Sequence, residues 1–139
     1  MARQQLNIEY DYDFVLIGLV CQAKDYRLCF EINKILSYDF EKTTDTEIFD
    51  AKHGDAGYFS TYLYENEDET SFYIIFNRGS KGVLVPEQNK LDCFIVVKGP
   101  FREDQKKQLL SDLKKITLIL GTYELDVKKL KSRENFLMI

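Results

Sequence analysis

The sequence predicts a single α+β domain over residues 1–139, a two-layer sandwich of two helices on a mainly antiparallel sheet. Three observations carry this. Two segments place apolar residues at helical spacing with polar residues opposite. Several short segments are rich in aromatic and β-branched residues and are bounded by turn residues. The segments follow one another as β-α-β-β-(β)-β-α-β. The closing helix, tight turn and strand have the form of the second half of a ferredoxin-like split βαβ unit.

The first segment, "DFVLIGLVC", is apolar without alternation, as expected of a strand covered on both faces or running straight into a helix. A helix follows over about 24–37, with Leu28, Ile32, Ile35 and Leu36 on one side and Arg27, Glu31 and Lys34 on the other. Asp25 is placed to cap it. Residues 38–57 are polar and too long for a structureless loop in a compact domain. "TEIFDA" within them reads as a short edge strand, and "KHGDAG" as a mobile tip.

"FSTYLYE" and "SFYIIFN" flank the acidic "NEDET" and read as a hairpin. "NRGSKG" is a turn in which Gly79 or Gly82 takes a positive φ. "GVLV" is a short return strand, and "LDCFIVVKG" is the next, stopped by Gly99-Pro100. A helix over "REDQKKQLLSDLKKI" turns Leu109, Leu110, Leu113 and Ile116 inward. Its acidic start and basic end suit the helix dipole. "LILGTYELDV" is the last strand. The tail ends in "NFLMI", which is too apolar to be left in water.

The composition, 45% hydrophobic and 30% charged over 139 residues, is that of a folded domain with a real core. A net charge of -4 without a basic block weighs against nucleic acid as a partner. The apolar run Phe14 to Cys21 falls far short of the roughly 20 residues that span a bilayer, and no signal pattern opens the chain. Cys21, Cys29 and Cys93 lie in apolar segments without paired spacing. They read as buried free thiols of a cytoplasmic protein with no membrane association.

The stretch "GVLVPEQNKLDCFIVVKG" concentrates the open question. Pro86 ends one strand by removing a donor and fixing φ. By period two, Leu91, Cys93, Ile95 and Val97 share one face of the next strand, and Asp92, Phe94 and Val96 the other. Asp92 either accepts backbone N–H bonds or pairs with a nearby Lys or Arg, fixing the register of a strand otherwise apolar on both sides. The competing reading sets Glu87 and Asp92 close together as a carboxylate pair for a cation or substrate.

"VPEQNKLDC" resembles the signature of the IPExxxVDY family of small bacterial proteins, associated with Bacteroidota. Val85, Pro86 and Glu87 stand for Ile-Pro-Glu, and Leu91, Asp92 and Cys93 for Val-Asp-Tyr. Cys93 lacks the ring and hydroxyl of that tyrosine. "DYRLCFEINKIL" and "YELDVKKLKSRENFL" extend the likeness over most of the chain. The resemblance brings no activity with it.

Other chemistries find little support. The single histidine, His53, sits in a Gly-Asp turn, and three scattered cysteines with one histidine do not make a zinc site. Neither a phosphate-binding glycine loop nor a nucleophile elbow is present. No catalytic residue, metal site or cofactor is predicted. The acidic alternation of Asp11 and Asp13 with tyrosines lacks the glycine and glutamate of a calcium loop.

The strands "FYIIF" and "CFIVV" are apolar on both faces, and two helices cover only one. The second cover must be the 38–57 segment, the "NFLMI" tail or a second subunit. The leading expectation is therefore a non-enzymatic module that self-associates or docks on a protein. Phe72, Ile74, Phe94 and Val96 are its candidate covered face, and Pro86, Glu87 and Asp92 organise the turn beside it. The alternative is a small-molecule or metal-dependent function of Glu87 and Asp92 with Asp11 or Asp13. A third reading, RNA binding, predicts Lys106, Lys107, Lys128, Lys129 and Lys131 on one face with exposed tyrosines.

Overall fold

A computed structural model of the chain describes residues 12–50 and 54–139. Asp11 and His53 lie outside the described residues. The elements are β1 (Val15–Cys21), α1 (Asp25–Leu36), β2 (Glu41–Lys42), β3 (Thr46–Asp50), β4 (Asp55–Phe59), β5 (Thr61–Glu65), β6 (Ser71–Phe76), β7 (Arg78–Gly79), β8 (Gly82–Val83), β9 (Cys93–Lys98), α2 (Glu103–Leu113) and β10 (Ile119–Leu125). The main sheet has six strands in the order β10-β1-β9-β6-β5-β2, and every neighbouring pair is antiparallel. Two interleaved βαβ units make its centre: β1 and β6 flank β9, while β9 and β10 flank β1. This is the ferredoxin-like order, widened at one edge by β5 and β2.

The expected α+β sandwich is present, and both faces of its sheet are dry. On one face α1 and α2 press Leu28, Cys29, Ile32, Leu109 and Leu113 onto Ile17, Leu19, Ile74, Cys93, Ile95 and Val97. On the other, Leu16, Ile75, Phe94 and Val96 lie under Phe59, Leu84, Val85, Leu91, Val127, Leu130 and Phe136. β1 is covered on both sides, as its unbroken apolar run requires. The second layer comes from the chain itself: the β3–β4 hairpin, the β6–β9 connection and the tail after β10. Both chain segments proposed as covers contribute, so the sheet needs no second subunit to be dry.

Several local expectations are corrected. α1 begins at Asp25, with Lys24 at the capping position; the Asp25 carboxylate accepts from the Tyr26 N–H at 2.8 Å and from Ser60 Oγ at 2.6 Å. Ile35 points outward at 42% exposure, and Cys29 takes its place in the core. α2 stops at Leu113, and Ile116 is buried in the turn beyond it. Of "TEIFDA", Thr46–Asp50 is described; it forms no edge of the main sheet and pairs with β4 in a separate hairpin. "FSTYLYE" is accordingly divided. Ser60 breaks the run, so Phe59 joins the second layer while Tyr62 enters the main sheet. Gly82 takes the positive φ, at 132°, in the tight β7–β8 turn.

The tail is held by Phe136, which is fully buried with its ring edge-on to Phe94 at 5.3 Å between centroids. Lys98, at the end of β9, donates to the main-chain oxygens of Phe136 at 2.9 Å and Ile139 at 2.8 Å. Asn135 donates to the Leu84 oxygen at 2.8 Å. The tail, a 3-10 helix over Arg133–Met138, is thus bonded to a strand end and to a neighbouring loop. Replacing Phe136→Ala opens a cavity over Phe94 and is expected to cost about 3–5 kcal/mol, read by urea unfolding. A loss below about 1 kcal/mol would mean that the tail is no part of the core.

Candidate functional site

The connection from β6 to β9 holds the residues singled out in the sequence. Its organiser is Asn77, fully buried at the end of β6. The Asn77 side-chain oxygen accepts from the Val85 N–H at 2.9 Å, and its amide nitrogen donates to the Gln88 and Leu91 oxygens at 3.0 and 2.8 Å. Its main chain bonds Leu84 N–H at 2.7 Å and the Asp92 oxygen at 2.9 Å. One amide therefore satisfies both ends of the loop that carries the motif, where buried polar groups left unpaired are costly.

Within that loop Pro86 opens a single 3-10 turn, Pro86–Gln88, and stops the extended run as expected. Val85 and Leu91 point inward at 0% and 5% exposure. Leu91 does not share the face of Cys93, Ile95 and Val97. β9 begins only at Cys93, so period two does not reach back to it, and Leu91 packs in the second layer with Phe94 and Val96. Space for it comes from Gly18: a Cβ there would lie 2.3 Å from Leu91 Cδ1.

The two motif carboxylates have separate work. Asp92 Oδ2 accepts from the Cys21 N–H at 2.7 Å, at the end of β1, where the pairing with β10 shifts register. Asp92 Oδ1 takes an Arg78 guanidinium bond at 2.7 Å, and the same guanidinium donates to the Asn89 oxygen at 2.8 Å. Asp92 thereby combines a backbone N–H and an arginine, both of the partner types expected for a register-fixing role. Glu87 reaches the tail instead, accepting from Ser132 N–H at 2.7 Å and Ser132 Oγ at 2.8 Å. Burial works to raise the Glu87 carboxyl, but hydrogen bonds from the main chain and from Ser132 outweigh it and hold it below its ordinary value. Among the described residues no group of three or more His, Cys, Asp or Glu side chains is arranged to hold a metal ion.

The four apolar candidates divide between the faces. Phe72 and Ile74 lie under the helices, cross-strand from Val97 and Ile95; Phe94 and Val96 lie under the tail. Period two on antiparallel partners sets this, since residues directly opposite share a face. All four are 2% exposed or less, so they belong to the core of this chain. Cys93 is also fully buried, and burial pushes its thiol well above the ordinary range. Asp13 is exposed, with Lys128 at 3.9 Å. Of the lysines proposed for RNA, Lys106 is bound to Glu103 and Glu124 at 3.2 and 2.8 Å. Tyr62 is buried, and Tyr64 stacks between Tyr38 and Phe72 under the helical layer.

Beside the motif a groove of about 520 Å³ runs between the β3–β4 hairpin and the tail, with Phe59, Leu84 and Pro86 in its wall and the Lys81–Asp55 ion pair, 2.9 Å, at its rim. Sequence reasoning missed Asn77. Nothing local separates it from an ordinary turn asparagine; the only hint is its position directly after the apolar run Ile74–Phe76. Compared with models of known protein families and with curated proteins, the chain matches none.

Asn77→Ala orphans Val85 N–H and the Leu91 carbonyl, leaves the Gln88 carbonyl with the Leu91 N–H alone, and is expected to cost about 3 kcal/mol. Glu87→Ala, at a solvent-accessible bond, is expected to cost about 1 kcal/mol. Denaturant midpoints order the two variants, and equal losses would remove Asn77 from its central place.

The Glu87 contribution has a pH signature. Its carboxyl is lower in the folded than in the unfolded chain, so its stabilisation is fully present above the unfolded carboxylate pKa, about 4.3, and is lost as pH falls through the folded value. Glu87→Gln should therefore flatten the acid limb of the stability profile and leave its neutral slope unchanged. An acid limb identical to the parent's would show that the Ser132 bond does not distinguish the two states.

Proposed function

We propose that this chain is a non-enzymatic cytoplasmic module that binds a protein partner, and that it is a member of the IPExxxVDY family. The observation that carries the interaction reading is the position of its exposed apolar side chains. Tyr26 and Phe30, one turn apart on α1, and Leu120 on β10 are 61–66% exposed, while both sheet faces are already dry. Large apolar side chains grouped on a surface mark interaction sites more than scattered ones do. The internal bonding of Glu87 and Asp92 supports the same reading, because carboxylates engaged by backbone N–H, Ser132 and Arg78 act as architecture. The family reading is supported by the way the motif residues work as a unit. Val85 and Leu91 fill the second layer, Pro86 turns the chain, and Glu87 and Asp92 tie it to the tail and to β1. Three free, buried cysteines suit a reducing compartment, and among the described residues no helix is long and apolar enough to cross a membrane.

The test is affinity capture from cytoplasmic lysate with and without nuclease, followed by reconstitution with the purified partner. The expected outcome is a defined protein that survives nuclease, binds directly, and binds the folded Glu87→Ala variant equally well. Capture of RNA alone, or of this chain alone by a second copy, would overturn the hetero-partner reading. Loss of a bound protein in a folded Glu87→Ala variant would return the motif to the binding surface.

A further inference from the structure

The main sheet ends on one side in the two-residue stub β2 and on the other in β10, seven residues long. Among the described residues β10 pairs only with β1, so alternate N–H and C=O groups along it face away from the sheet. At its start the pairing steps from Val20↔Gly121 to Cys21↔Ile119, which leaves Leu120 unpaired. Such a bulge re-aims a side chain. Leu120 stands in solvent at 66% exposure, on the wall of a cavity of about 470 Å³ between β10 and the beginning of α1. Lys24, Tyr26 and Arg27 line the same cavity, and among the described residues no carboxylate does.

The two ends of this edge differ in charge. At the start, Lys24 and Arg27 have no ion-pair partner among the described residues. Lys114 and Lys115 precede the strand, with Lys115 on Asp112 at 3.2 Å. Toward the other end lie Glu124 and Asp126. Glu124 shares Lys106 with Glu103, at 2.8 and 3.2 Å, so one ammonium serves two carboxylates. Asp126 accepts from the Lys128 N–H at 3.1 Å and has no ion-pair partner among the described residues. Lys128 itself turns to Asp13 at 3.9 Å, and Lys129 follows it. The start of the edge is thus cationic, and its end carries carboxylates with lone pairs left for a further cation.

An antiparallel neighbour sets its end against the start of β10. A second copy therefore brings its own Glu124 and Asp126 to Lys24 and Arg27, and the two-fold symmetry makes the match twice. The faces agree as well. Glu124 stands opposite Ile17 and Thr122 opposite Leu19, so both point to the helical side of the sheet, the side on which α1 begins. A two-fold axis through the middle of Ile119–Leu125 passes at Thr122. Among the described residues, the Thr122 hydroxyl is the buried side-chain polar atom left without a hydrogen-bond partner. Across that axis the two Thr122 side chains are directly opposite, and rotation about χ1 lets their hydroxyls bond each other.

We propose that β10 is the self-association edge of this protein. Two copies pair antiparallel about Thr122 and join their sheets, and each closes the cavity of the other by setting Glu124 opposite Leu120. Tyr123, at 52% exposure, comes to lie against Gly121 of the second copy. Main-chain bonds along the edge supply affinity, and the charges at its two ends fix the register. This goes beyond the hetero-partner reading and leaves it room: Phe30, a turn further along α1, does not line the cavity and stays open to another protein.

The test is sedimentation equilibrium of the full chain, with folding of each variant checked by circular dichroism. The mass is expected to rise with concentration toward twice the 16.4 kDa of one chain. Lys24→Glu/Arg27→Glu and Glu124→Lys/Asp126→Asn are each expected to weaken association at least about tenfold, because each sets like charges together at both ends of the pair. Asparagine at 126 keeps an acceptor for the Lys128 N–H. An equimolar mixture of the two variants is expected to regain the dimer: the introduced glutamates face the introduced lysine at one end, and the natural charges meet at the other. Under diamide, Thr122→Cys is expected to cross-link two chains, with the parent, whose three cysteines are buried, as control.

A chain that stays monomeric up to about 100 μM would overturn the proposal. So would a dimer indifferent to both charge variants, a mixture that stays monomeric, or cross-linking through Tyr123→Cys and not through Thr122→Cys. A lysate protein that binds a monomeric parent and is lost in Lys24→Glu/Arg27→Glu would also overturn it, because the edge would then belong to that protein. The two readings fail separately. A monomeric chain that still captures a partner removes the dimer alone, and a dimer that captures nothing removes the hetero-partner reading alone.

Discussion

A sheet that is apolar on both faces, with helices enough for only one, is the constraint on which the rest of this structure depends. Ile75, Phe94 and Val96 must be kept from water as surely as Ile74 and Ile95, yet only a short hairpin, a loop and a tail of 3-10 turns are left to do it. Helices bring their own satisfied backbone to a core; loops do not. Covering the second face with loop and tail therefore creates a second problem, a set of peptide groups carried into or beside an apolar layer. The buried amide of Asn77, the carboxylates of Asp92 and Glu87 and the ammonium of Lys98 answer it, each bonding main-chain groups of the cover or of the strand end it meets.

The motif is then understandable as a solution to loop burial. Its apolar positions, Val85 and Leu91, fill the second layer, and its polar positions bond the segment to three different parts of the chain: the end of β1, the tail and β7. Gly18 belongs to the same arrangement although it is distant in sequence, because Leu91 lies where its Cβ would be. A carboxylate whose oxygens take N–H groups from one strand and a guanidinium from a neighbouring turn fixes where those pieces meet. Solvent screens much of the ion pair, since Arg78 is 55% exposed, so the geometry of the Cys21 N–H bond matters more than the charge.

What was legible in the sequence follows from which forces are local. The unbroken apolar run of β1, the helical stripes of α1 and α2 and the need for a second cover are statements about side-chain periodicity, and they can be read from one segment at a time. The break at Ser60 was not legible. The aromatic pattern runs through it, and only the tertiary placement of Phe59 under the tail and Tyr62 under α1 separates the two strands. Phe72 and Ile74 were set beside Phe94 and Val96 for a related reason: alternation says which residues of one strand share a face but not how that face aligns with the face of another strand. Pro86, Glu87 and Asp92 could be found because proline and acids beside a strand stand out. Asn77 could not, because its partners lie 8 to 14 residues away and are backbone groups, which leave no trace in residue type.

The same logic separates architecture from function in this molecule. The residues that attract attention in the sequence are those that solve an internal problem, and a solved internal problem leaves no free valence for a partner. Function is better sought where local rules are left unresolved: an aromatic pair on the solvent side of a helix, a bulge that turns a leucine outward and, among the described residues, cations without counterions and a sheet edge without a neighbour. Each has an ordinary explanation alone, and bulges in particular are one way to blunt an edge. The meeting of Tyr26, Leu120, Lys24 and Arg27 in one cavity at the start of β10 is harder to explain so. A bulge meant only to discourage pairing gains nothing by presenting Leu120 beside Tyr26, because apolar exposure invites the very contact that the bulge would prevent.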